Sequence, residues 1–152
     1  MKESDKFTYE SEKFRYKLEI IAKKIWPMCP IYKEGDKMTI VEPGIVIQET
    51  DAICLSFLAD LIPYYRGLSR GIDPKEMGLK TEGDLSFIEC HDPGGKYSDY
   101  PTDGGTVLFE IRRTPLTLED VKKYRKFDLK AMEKVWAQRR ERYQAKNMKS
   151  SP

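Results

Sequence analysis

The chain has 152 residues, 39% of them hydrophobic and 34% charged, and a formal net charge of +2. That length suits one domain with an appendage, with enough apolar residues for a core and more charge than the usual quarter. No apolar run approaches the ~18 residues that a membrane span needs, and residues 1–13 are polar without an apolar signal core, so the expectation is a cytoplasmic protein with no membrane partner. The cysteines are odd in number and none lies in a close pair, which fits reduced thiols better than a disulfide framework.

The small net charge hides an asymmetry. Residues 122–149 hold eleven Lys and Arg against three acidic residues, which leaves sixteen basic and twenty-two acidic residues elsewhere. An acidic body therefore carries a basic tail, which either folds back on that body or reaches for an acidic partner.

In chain order, Phe14, Tyr16, Leu18 and Ile20 alternate with Arg15, Lys17 and Glu19, the period of a half-buried strand. The strand runs toward Trp26 and ends at Pro27-Met28-Cys29-Pro30, where two prolines bar regular pairing. Glu34-Gly35-Asp36-Lys37 is a turn signal. Met38 and Ile40 then alternate with Thr39 and Val41 as a second strand, broken by Glu42-Pro43-Gly44, and Ile45-Val46-Ile47 is a short third apolar run. Asp51 is the expected N-cap of a helix over residues 52–62. Its apolar stripe is Cys54, Leu58, Leu61 and Tyr65, and Pro63 is expected to kink or end it.

Gly67, Gly71, Pro74 and Gly78 mark an irregular stretch. Leu85, Phe87 and Glu89 alternate with Ser86, Ile88 and Cys90 in the next strand, and Val107, Phe109 and Ile111 with Leu108, Glu110 and Arg112 in the last. The loop between them, residues 91–105, is long for a compact domain and marks a functional or disordered segment. Thr117 with Asp120 resembles a capping box, followed by Leu118, Val121 and Tyr124 at helical spacing. Asp128 caps a second helical segment with Leu129, Met132 and Trp136 on one stripe.

The order of short motifs resembles a family of small prokaryotic conserved hypothetical proteins. The matching positions are Tyr16-Lys17, Cys29-Pro30, Gly35-Asp36, Cys54, Phe57, Pro63, Gly67, Cys90, Asp92-Pro93 and Phe109-Glu110-Ile111-Arg112-Arg113. The resemblance covers residues 14–113 and implies a shared fold; it brings no established activity. The 94–105 loop is longer than the family's, and the tail after Thr114 is an addition to it.

Cys29, Cys54 and Cys90 with His91 would complete a tetrahedral set for zinc or iron–sulfur chemistry. Against this, the set lacks the close Cys pair that pre-organises structural zinc sites, and adjacent Cys90 and His91 on a strand point to opposite faces. Cysteines that behave as small buried hydrophobes are the commoner case. No cofactor is therefore expected, with zinc or an iron–sulfur cluster as the alternative. No catalytic residue is assigned, because a lone cysteine nucleophile needs an activating neighbour and only His91 is available. No phosphate loop, dinucleotide fingerprint or nucleophile elbow is present.

The tail is the other candidate. Its apolar residues Leu118, Val121, Met132 and Trp136 favour docking on protein, and Arg139, Arg140 and Arg142 are the residues through which it would meet a nucleic acid instead.

The expectation is thus an α+β fold: a small, mostly antiparallel sheet with one principal helix packed on it, plus a C-terminal helical extension. Residues 1–13 form a polar arm, 14–113 the α+β domain, 114–148 the basic helical extension and 149–152 a tail. The expected function is a non-catalytic accessory or interaction subunit of a cytoplasmic protein complex, of the kind that accompanies a metabolic enzyme. The alternatives are a small metal- or iron–sulfur-binding protein and a nucleic-acid binder acting through the C-terminal helix.

Overall fold

In the computed structural model, residues 16–91, 105–124 and 129–148 are described. Phe14, the loop expected over most of residues 91–105, the Asp128 cap and both termini fall outside them, as do the side chains of Leu118, Val121, Leu129, Met132 and Trp136. Six antiparallel strands form one sheet in the order β3-β2-β1-β6-β5-β4. They are β1 (Tyr16–Trp26), β2 (Lys37–Val41), β3 (Gly44–Ile45), β4 (Lys80–Glu82), β5 (Leu85–Glu89) and β6 (Thr106–Pro115). Among the described residues three α-helices accompany the sheet: α1 (Leu55–Ser69) on it, then α2 (Leu118–Tyr124) and α3 (Leu129–Met148). The architecture is α+β, with one principal helix on an antiparallel sheet.

The alternation in β1 dictates its place at the centre. Leu18, Ile20 and Ala22 are fully buried; all three pair with β6, and Leu18 and Ile20 pair with β2 on the other side. From β6 the same face receives Val107, Phe109 and Ile111, from β2 Met38 and Ile40, and from β5 Ile88. Against this layer α1 lays Phe57, Leu61 and Leu68. Removing this apolar area from water is the main force holding helix to sheet. Phe57 stacks on Phe109 at 3.7 Å between ring centroids, and Tyr32 meets Phe109 edge-on at 5.1 Å. These three rings link the helix, the central strands and the loop after β1.

Two local expectations are corrected, at Asp51 and at Pro63. The run Ile45-Val46-Ile47 gives only the short β3, after which Ile47–Glu49 turns as a 3-10 helix. The segment that follows closes back on β2: Thr39 N donates to Thr50 Oγ1 at 3.1 Å, and Thr39 Oγ1 donates to the Glu49 carbonyl at 2.8 Å. Asp51 does not cap α1. Its carboxylate accepts the Lys37 N–H at 2.8 Å, so it is spent on the β2 edge and the helix begins later, with Cys54 as N-cap. Pro63 does not end the helix either. It sits on the exposed side, where water can serve the carbonyl its missing N–H leaves free. The helix runs on through Gly67 and ends where Gly71, at φ 86°, permits a Schellman turn: Ile72 N donates to Gly67 O and Gly71 N to Leu68 O. Strand β4 carried no recognised sequence signal, because only Lys80–Glu82 pair with β5.

The other sheet face is laced with charge. Glu110 is 6% exposed; its carboxylate takes Lys23 at 3.2 Å and Arg112 at 2.8 Å, while Lys23 lies over the Phe87 ring. Burial pushes the Glu110 carboxyl up, but the two cations outweigh it and hold it below the usual carboxylate value. A carboxyl depressed in the folded state contributes stability at pH above its unfolded value, and that contribution is lost as pH falls through the lower folded value. Glu110→Gln is therefore expected to flatten the acid limb of the stability–pH curve. Denaturant titrations across that limb check it; an unchanged acid slope would show that Glu110 is not the group responsible.

Beyond Pro115 the chain crosses this second face. Leu116 packs with Val41, Val46 and Tyr124 in a small separate core. The expected capping box opens α2: Thr117 N donates to Asp120 Oδ2 at 2.9 Å and Asp120 N to Thr117 Oγ1 at 3.2 Å. These bonds from Thr117 hold the Asp120 carboxyl below its ordinary value. Tyr124 then donates its hydroxyl to Glu49 at 3.1 Å, fastening the end of α2 to the body. No helix among the described residues is long and apolar enough to cross a membrane.

Candidate functional site

The three cysteines, far apart in sequence, meet at one end of the sheet around Tyr32. Cys29 lies in the turn after β1, where Trp26–Pro27 is cis. Its sulfur accepts N–H bonds from Ile31 at 3.4 Å and Tyr32 at 3.3 Å. Cys54 opens α1, and its backbone N–H donates to the Tyr32 hydroxyl at 3.1 Å. Cys90 follows β5; its sulfur accepts the Val107 N–H at 3.1 Å and stands 3.8 Å from the Gly105 carbonyl. All three are half-buried, packed on the main core and unbridged.

Gly105 makes this convergence possible. A Cβ built on it would stand 2.4 Å from the Met28 carbonyl oxygen and 2.6 Å from that of Trp26. Only a residue without a side chain lets the Cys29 turn lie against the start of β6 beside Cys90. Gly105→Ala is expected to destabilise by about 1–3 kcal/mol, because backbone rather than a flexible side chain must move. Chemical denaturation measures this; a variant as stable as the parent would mean that the turn is not held there.

The electrostatics agree with the grouping. Burial pushes the Tyr32 hydroxyl up to about 12, with further upward pressure from all three cysteines. The Cys90 thiol is also raised, first by burial, against the Val107 N–H, and then by Cys29, Asp60 and Cys54. At neutral pH Cys90 is thus held as the thiol.

His91 stands apart from the sulfurs chemically. Its backbone N–H and Nδ1 both engage the Asp60 carboxylate, at 2.8 Å and 2.9 Å, which pins the end of β5 to α1. Among the described residues no three His, Cys, Asp or Glu side chains form a group able to hold a metal ion. Cys29 and Cys54 are thus both tied to Tyr32 and Cys90 packs on the same core, while His91 is held by Asp60. Sequence reasoning missed Tyr32 and Asp60, the two residues that make these ties. The only available signal was the Cys-Pro-x-Tyr run, which has no period to reveal it.

The second candidate is the tail. Helix α3 has 20 residues and makes no extensive contact with sheet, α1 or α2 among the described residues. Val135, Tyr143 and Met148 are exposed, as are Arg139 and Arg142, while Arg140 is half-buried. The docking role expected for Leu118, Val121, Met132 and Trp136 rests on side chains outside the description. Comparison of the chain with family models, curated proteins and solved structures returns no match.

Proposed function

We propose that this chain is a non-catalytic interaction subunit that assembles through α3, and that the first surface α3 engages is the acidic body of a second copy. The observation that carries this reading is a 20-residue helix that, among the described residues, makes no extensive backbone contact with the sheet or the other helices. Isolated helices of that length are marginal in water and draw their stability from tertiary or quaternary burial. Charge supplies the partner's chemistry. Helix α3 bears six Lys and Arg against two Glu, and the body is acidic in balance. Exposed Asp73, Glu76, Glu82 and Asp84 gather near β4 at the sheet edge, with Lys75, Lys80 and Arg113 beside them. One chain thus offers both halves of a reciprocal contact, as a twofold dimer requires.

The experiment compares the full chain with a form ending at residue 124 by sedimentation equilibrium across a salt series. The full chain is expected to self-associate at low salt and dissociate as salt rises, because exposed charges are screened, and the shortened form is expected to stay monomeric. A monomeric full chain at low salt overturns the second-copy reading. A shortened form that still dimerises removes α3 from it. Binding of duplex DNA or RNA by the full chain with a steep salt slope, in place of self-association, would favour the nucleic-acid alternative.

A further inference from the structure

Beside β4, charges of both signs line one cavity without meeting. We propose that this cavity binds a free α-amino acid, its carboxylate taken by Arg113 and its ammonium by Asp84 and Asp73.

The cavity has a volume of about 480 Å³ and lies between the start of β1, the end of β6, the turn after α1 and the β4–β5 hairpin. That volume is within the range of small-molecule sites. Arg113 comes from β6, is half-buried, and is fixed from two sides. Its Nη1 donates to the Ile72 carbonyl at 2.8 Å and to the Leu68 carbonyl at 3.5 Å, and the guanidinium lies 5.1 Å from the centre of the Tyr16 ring. These bonds use one nitrogen. Among the described residues Nε and Nη2 of Arg113 have no hydrogen-bond partner, and no carboxylate pairs with it. An anchored guanidinium with that edge open is a planar fork set for a carboxylate.

Two carboxylates line the same space. The β4–β5 turn has two residues: Gly83, at φ 58°, takes the first place and Asp84 the second. Asp84 makes no hydrogen bond among the described residues. Asp73 spends Oδ1 on the Lys75 N–H at 3.0 Å and keeps Oδ2. Lys75 also lines the cavity, so two cations stand with two anions. Yet no ion pair within 4.0 Å joins Arg113 or Lys75 to Asp73 or Asp84 among the described residues. Opposite charges that share a cavity and stay apart are complementary to a molecule that carries both. A simple anion would meet the two carboxylates, and a simple cation would meet Arg113 and Lys75. Half-buried Leu85 and Tyr16 leave an apolar wall for the side chain of the ligand.

The test titrates isotope-labelled full-length protein with each of the twenty free amino acids, read by NMR. Asp73 and Asp84 also belong to the edge offered to α3 of a second copy. The protein is therefore held at a concentration where sedimentation finds monomer, which separates failure here from failure of the assembly reading. The expected result is saturable one-to-one binding of at least one amino acid, with the largest shifts at Gly83, Asp84 and Arg113. Its N-acetyl amide, which carries neither charge, is expected to bind about tenfold more weakly or worse, as are Arg113→Gln and Asp84→Asn proteins with the free amino acid, because bonds to charged groups are lost. Asp84→Asn changes only an exposed turn and carries the test if Arg113→Gln fails to fold. No saturable binding at millimolar concentration, equal binding of the blocked form, or shifts confined to other parts of the chain would each overturn the proposal.

Discussion

Replacing Phe109 by alanine is expected to destabilise the domain by about 3–5 kcal/mol, a large share of the stability of a domain this size. Phe109 is 1% exposed and stands where α1, β6 and the loop after β1 meet: its ring stacks on Phe57 of α1 and meets Tyr32 edge-on. Its loss opens a cavity between two rings that the strands cannot close, since β6 is hydrogen-bonded to β1 and β5 on either side. Phe109→Leu is expected to cost less, because part of the volume is kept. Equilibrium denaturation in guanidinium measures both. A loss below about 1 kcal/mol for the alanine variant would mean that helix and sheet are not joined through this ring.

The second large effect concerns assembly. Changing Arg139, Arg140 and Arg142 together to Glu reverses the charge of the middle of α3 without touching the sheet core. Single exposed ion pairs contribute only about 0.2–1 kcal/mol, but three reversals also place like charges against an acidic body. Self-association is therefore expected to weaken on the order of tenfold or more, about 1.4 kcal/mol or above, with unfolding midpoint unchanged. Equal affinity of variant and parent would show that the basic face is not what binds.

Much of the fold was legible where a single period ran long enough. The alternation of Leu18 and Ile20 placed β1, and that of Val107, Phe109 and Ile111 placed β6. The stripe of Leu58 and Leu61 had the right helical register, although Phe57 proved the deeper residue. The Thr117–Asp120 cap was readable because side chain and backbone lie within one turn. What sequence hid was long-range exchange of polar partners. Asp51 has the chemistry of a helix cap but is used by Lys37 N across a loop, and Asp60 looks like a solvent-facing helix residue until His91 arrives. Likewise nothing local links Cys29, Cys54 and Cys90; Tyr32 and Gly105 bring them together, through a backbone contact that no spacing rule contains.

Amide hydrogen exchange on the pure chain, read along α3 at concentrations below and above self-association, tests the central claim most directly. The account predicts that α3 amides exchange orders of magnitude faster than those of β1 and β6 in the monomer, because the described residues of the helix make no extensive backbone contact with the body. Their exchange should slow on association, together with amides near Asp73 and Glu82, and speed up again in high salt. Amides of α3 as protected in the monomer as those of β1, or unprotected in every state, would contradict it.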